Sequence, residues 1–171
     1  AASVLTMEIP EAYSREDAWV PQVVAGVELP IKYNDEDSLY IGGEYFWNDA
    51  GYADASLYPW LLFNDAYTPF YVGKHYAGVY VSVPAPGQLD EHTFTASTIG
   101  NLSDRSFVSR LDYSVRALTF LSINAYAAAS YGEYGELRFA LEIPPILGAT
   151  EEAVEVEAPV VDVGIGAQIV F

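Results

Sequence analysis

The sequence predicts an all-β chain of antiparallel strands, and three observations predict it. Apolar residues recur with period two, charges in each segment keep to one face, and the segments are separated by Gly, Pro, Asn and Asp clusters. In 136–143 (ELRFALEI), Leu137, Phe139, Leu141 and Ile143 alternate with Glu136, Arg138, Ala140 and Glu142. In 106–116, Phe107, Leu111, Tyr113 and Val115 share one side, and Arg110, Asp112, Ser114 and Arg116 share the other.

The remaining segments follow the same rule. In 119–131, Leu121, Ile123, Ala125, Ala127 and Ala129 oppose Ser122, Asn124, Tyr126 and Ser130. Segment 69–83 sets Tyr71, Gly73, Ala77, Val79 and Val81 against Lys74, Tyr76, Tyr80 and Ser82, with His75 as a polar intruder. Segments 92–102, 38–47 and 19–33 alternate more weakly, and Pro21 and Pro30 push the last toward a bulge or an edge, since proline cannot donate to the ladder. A short strand at 2–9 carries Leu5, Met7 and Ile9 on one side. Turn chemistry marks the breaks at 33–37 (YNDED), 84–91 (PAPGQLDE), 101–104 (NLSD), 131–135 (YGEYG) and 144–150 (PPILGAT). The acidic run 150–159 reads as a solvated loop. With 160–171, this makes nine candidate strands in one domain spanning 1–171.

Composition removes several function classes. Seven Lys and Arg face twenty-four Asp and Glu, a formal charge of −17, so nucleic acid held by phosphate neutralisation is excluded as a partner. Cysteine is absent and only His75 and His92 are present, so neither a thiolate nor a multi-histidine metal centre is expected, and no cofactor is implied. NDED at 34–37 lacks the glycine and distal Glu of a calcium loop. Ser106, His92 and Asp112 have no nucleophile elbow to make them a triad, and the paired carboxylates Asp35/Glu36 and Glu151/Glu152 lie in loops, so no enzyme is expected.

A period-two chain encloses its oil or shows it to lipid. The segments are long, where soluble strands usually run about 5–6 residues. Their apolar faces are rich in small residues at mid-strand (Gly43, Gly73, Ala77, Ala125, Ala127), with Trp47, Tyr71, Tyr113, Tyr131 and Phe171 near strand ends, where interfacial rings sit. No stretch reaches the ~18–20 apolar residues of a membrane-crossing helix. The expected fold is therefore an antiparallel transmembrane β-barrel of about eight strands.

The last segment, VVDVGIGAQIVF, alternates Val161, Val163, Ile165, Ala167 and Ile169 and ends on Phe171. It resembles the C-terminal strand of Gram-negative outer-membrane β-barrel proteins. That resemblance implies a bacterial outer-membrane location, membrane lipid and the barrel assembly machinery as partners, Phe171 with Ile169 as the assembly signal, and Val163, Ile165 and Ala167 facing lipid.

The expected function is a porin-like passive channel for small solutes or ions. Glu44, Lys74, Arg110, Asp112, Arg116, Arg138 and Glu142 are the candidate lumen lining, and several of them could instead form ion pairs holding the strands in register. The alternatives are a structural barrel anchoring or sleeving an outer-membrane complex, with other subunits docked on 48–68, and a soluble ligand-binding barrel. One difficulty accompanies this count. Single-chain bacterial barrels normally have an even number of strands, and counting back from a periplasmic C-terminus puts the longest gap, 48–68, on the periplasmic face, where turns should be short. Either a hairpin is misassigned or 48–68 holds another strand or plugs the lumen. The start at AASVLT, without methionine or an apolar leader, also allows the chain to be the C-terminal part of a larger barrel.

Overall fold

The structure is a computed structural model in which residues 19–143, 154–157 and 159–169 are described. It is an all-β, antiparallel protein with little helix. The strands are β1 (Gln22–Lys32), β2 (Ser38–Asn48), β3 (His75–Pro84), β4 (His92–Asn101), β5 (Ser106–Leu118), β6 (Leu121–Gly132), β7 (Ala140–Ile143), β8 (Val154–Glu157) and β9 (Val161–Ile169). A 3-10 turn at Ala55–Leu57 leads into the short helix α1 (Tyr58–Phe63), the one α-helix among the described residues. Seven strands form one sheet in the order β1-β2-β3-β4-β5-β6-β9, and β7 and β8 form a separate hairpin. Among the described residues the sheet is not closed, and β1 and β9 are its outer strands. The candidate strand 2–9 and the residues Val170 and Phe171 lie outside the described residues.

Directly opposed residues share a face, so the register sorts the side chains. One row reads Leu29, Ile41, Val81, Ala96, Leu111, Ala127, Val163 from β1 to β9, and the next reads Val27, Gly43, Val79, Thr98, Ser109, Ala129, Val161. No Asp, Glu, Lys or Arg lies on this apolar face in any of the seven strands. Glu28, Lys32, Glu44, Arg110, Asp112, Arg116 and Asp162 all lie on the opposite, charged face.

Hydroxyls on the apolar face pair with one another, Thr98 with Ser109 at 2.7 Å and Ser109 with Tyr131 at 3.1 Å. The two histidines stand near opposite ends of that face, each bonded to a tyrosine, His75 to Tyr45 at 2.6 Å and His92 to Tyr113 at 2.7 Å.

Two assignments differ from the sequence reading. Segment 136–143 forms a strand only from Ala140 onward, because Glu136 and Leu137 spend their N–H groups on Asp104 and the Ser106 hydroxyl, at 2.9 and 3.0 Å, and not on a neighbouring strand. The acidic run read as a loop contains β8, whose alternating VEVE pairs with β7.

Moving this hairpin out of the sheet changes the end at which the 48–68 connection falls, while the described sheet keeps an odd count of seven strands. Strand directions alternate, so the turns 33–37, 85–91 and 119–120 lie at the end where β9 finishes. The two long connections, 49–74 and 133–160, lie at the other end.

Burial concentrates at the long-connection end. Tyr58, Leu61 and Val72 form a small core within 49–74, packed by Tyr52, Ala55, Trp60 and Tyr67. Asp54 caps the turn before α1, accepting from the Ser56 N–H at 2.9 Å, and these bonds hold its carboxyl below its ordinary range. Proline in the first turn of α1 gives up no intrahelical bond.

Candidate functional site

The connection 49–74 folds back over the charged face as a cap. Its contacts fall on the last two rows of that face, where Asn48, Tyr76 and Asn101 are buried. Asn48 Nδ2 donates to the Tyr71 carbonyl at 2.8 Å, and the Gly73 N–H donates to Tyr76 Oη at 2.6 Å. Asn101 Nδ2 lies 3.3 Å from Tyr58 Oη. The Tyr71 ring meets Phe46 edge-on with centroids 5.7 Å apart, and Phe46 stacks on Tyr76 at 5.9 Å. Tyr71, expected among the interfacial rings of the apolar face, is thus part of the cap, and strand β3 begins only at His75.

Glu136 ties the cap to the sheet. One carboxylate oxygen accepts from the Phe70 N–H, and the other accepts from Tyr76 Oη at 2.6 Å and Asn101 Nδ2 at 3.0 Å. Burial pushes its carboxyl above the usual range despite these three donors. Burial likewise raises the Tyr58 hydroxyl, and it pushes the Tyr67 hydroxyl up to about 12, with Glu136 and Asp104 adding to that shift. Phe70 holds a positive φ of 62°, costly for a bulky residue and fixed here by its bond to Glu136. Asp104 completes the anchor by accepting from the backbone and hydroxyl of Ser106 at 2.9 and 2.6 Å.

Farther along the charged face, Arg110 pairs with Asp112 at 2.7 Å and lies 4.2 Å over the Tyr126 ring, while Tyr126 Oη donates to Asp162 at 2.9 Å. Tyrosine rings cover strand glycines at two places. A Cβ on Gly42 would strike the Tyr80 ring, and one on Gly164 would strike the Tyr126 ring. Tyr80 Oη donates to Glu28.

The candidate lining residues therefore separate. Glu44, Arg110 and Asp112 stand within strands on the charged face. Arg116, near the short-turn end, pairs with Glu91 of the preceding turn. Lys74 lies just before β3 and pairs with Asp49 at 3.6 Å. Arg138 lies past the end of β6, where its guanidinium sits 4.5 Å over Tyr134 and donates to the Gly132 carbonyl at 2.6 Å. Glu142 sits in β7 opposite Glu155, and its side chain lies outside what the structure describes. Ile169 ends β9 on the apolar face, opposite Leu121. The sequence reading missed Glu136, Asp104, Asn101 and Tyr76 as one cluster; the glycines of YGEYG, immediately before Glu136, were the signal that the strand pattern breaks there.

Among the described residues no group of His, Asp and Glu is placed to hold a metal, and no helix is long and apolar enough to cross a membrane. No family model, curated protein or solved structure matches the chain.

Proposed function

We propose that this sheet is part of the wall of an outer-membrane β-barrel that passes small solutes or ions passively along its charged face. The observation that carries the reading is the apolar face, free of Asp, Glu, Lys and Arg across the seven described strands, on which Ile165 is 85% and Leu111 63% exposed. Water is a poor solvent for so large a continuous apolar surface, and hydrocarbon is a good one.

Dimensions agree. Twelve residues in β6, rising about 3.3 Å each and tilted about 40°, cross roughly 30 Å, the thickness of the hydrocarbon layer. Aromatic rings flank the mid-strand rows: Tyr45, Trp47, Phe107 and Tyr131 toward the long-connection end, and Phe94 and Tyr113 toward the other. Short turns at the end where β9 finishes and long connections opposite match the periplasmic and extracellular ends of such barrels.

Reconstitution into a planar bilayer tests the channel: discrete conductance steps are expected, and a protein that inserts yet never conducts refutes it. A second reading, a structural barrel sleeving a complex, is favoured by Phe63 and Leu62 on α1, exposed at 71% and 45% on the cap. A protein that inserts without conducting supports it.

A further inference from the structure

We infer that the charged face holds a binding slot for an organic cation, a protonated amine carried on a small apolar or aromatic body, centred on Glu44. This extends the channel reading, because the slot opens on the face assigned there to the lumen.

The slot follows from three consecutive rows of the register. In the middle row Glu44 stands between Gly26 on β1 and Gly78 on β3, so its neighbours on both sides lack side chains. A Cβ on Gly78 would meet nothing closer than the Thr98 carbonyl at 3.9 Å, which leaves the floor open on that side. The row toward the cap carries Phe46 stacked on Tyr76, and the row on the other side carries Tyr80, whose ring lies over Gly42. These rows form two aromatic walls with a trough one residue wide between them. Phe70 and Tyr71 of the cap reach the same space, and the cavity is about 470 Å³, enough for a small organic molecule. Glycine inside a strand commonly marks a place where another group approaches the backbone closely.

The charge selects the ligand. Glu44 is the only Asp, Glu, His, Lys or Arg in the cavity wall, and among the described residues its carboxylate has no hydrogen-bond or ion-pair partner. The cations that could neutralise it are engaged elsewhere, Lys74 by Asp49 and Arg110 by Asp112. Glu28, its diagonal neighbour on the same face, is already bonded by Tyr80. A primary ammonium would find an uncompensated carboxylate and the faces of tyrosine rings, while an anion would meet repulsion. The apolar body would displace water from the half-buried Phe46 and Ile99.

The test titrates the full chain in detergent micelles with benzylammonium and with benzyl alcohol, by calorimetry. The wild type is expected to bind the ammonium about tenfold more tightly than the alcohol, as one carboxylate plus a cation–π contact implies. Glu44→Gln should abolish that preference, Gly78→Val should weaken both probes by filling the trough, and Glu36→Gln, in the distant 33–37 turn, should change neither. Folding of each variant is checked by retained β-sheet circular dichroism. Equal binding of both probes by the wild type, no binding of either, or a preference that survives Glu44→Gln overturns the slot. Conductance without the amine preference sinks the slot alone, whereas amine preference without conductance sinks the channel and leaves the slot standing.

Discussion

Placing a charge on each face of the same strand separates lipid from water directly. Ala96 and Thr95 are adjacent near the middle of β4, and they point to opposite sides of the sheet. Ala96 lies between Val81 and Leu111 on the apolar face, and Thr95 between Ser82 and Asp112 on the charged face. Arginine at a lipid-facing midplane position costs about 2–4 kcal/mol in a transmembrane barrel. Ala96→Arg is five residues into a ten-residue strand, so it should suffer most of that cost, with no anion on that face of the neighbouring strands to offset it. Thr95→Arg faces the Asp112 carboxylate, already shared with Arg110, and should stay within about 1 kcal/mol of the wild type, as exposed pairs do. Folding each variant into lipid vesicles across a denaturant series, followed by intrinsic fluorescence, gives both numbers. Equal tolerance of the two substitutions, or greater damage from Thr95→Arg, would refute the assignment of the apolar face to lipid.

Three further outcomes are expected. Because burial raises the Glu136 carboxyl above its ordinary value, ionised Glu136 opposes cap docking; docking is strongest below the ordinary carboxylate pKa and weakens as pH rises through the raised one. Protection of the 58–72 amides, taken relative to each amide's intrinsic exchange rate at that pH, should therefore rise on mild acidification, and Glu136→Gln should remove this change; an unchanged dependence in the variant assigns it to another group. Glu136→Ala strips the acceptor from the exposed Phe70 N–H and from the buried Tyr76 and Asn101 side chains, and at about 1–3 kcal/mol for a buried donor left without a partner it should loosen the cap by a few kcal/mol, read as faster chymotryptic cleavage within YPWLLF while β5 and β6 stay protected. Gly164→Ala forces the Tyr126 ring off β9 and should cost about 1–3 kcal/mol in a denaturant titration, a loss that Tyr126→Ala in the same chain should partly relieve.

The seven sheet strands were legible because each carries its signal within itself. In 106–116 every charge falls on one side, and β5 places Arg110, Asp112 and Arg116 together on the charged face. Register and edges were not legible, because alternation says which face a residue takes but not which partner it meets. The error at 136–143 is of a different kind. Glu136, Leu137 and Arg138 alternate well enough for a strand, yet Asp104 and Ser106, some thirty residues earlier, offer the Glu136 and Leu137 N–H groups better partners than a neighbouring strand does. The cap escaped for a related reason: YPWLLF reads as oil bound for the interface, and only the polar side chains of Asn48, Asn101 and Glu136, spread across the sequence, hold its connection against the charged face.

The rims of the sheet carry a consequence of their own. Among the described residues β1 and β9 each have one neighbour, so every second amide along their free sides has no backbone partner. In hydrocarbon each such group costs several kcal/mol, and eleven residues of β1 would accumulate tens of kcal/mol, more than a whole domain's folding stability. Lipid would therefore accept this sheet only with both seams closed by further strands, which makes edge pairing the step on which membrane insertion depends.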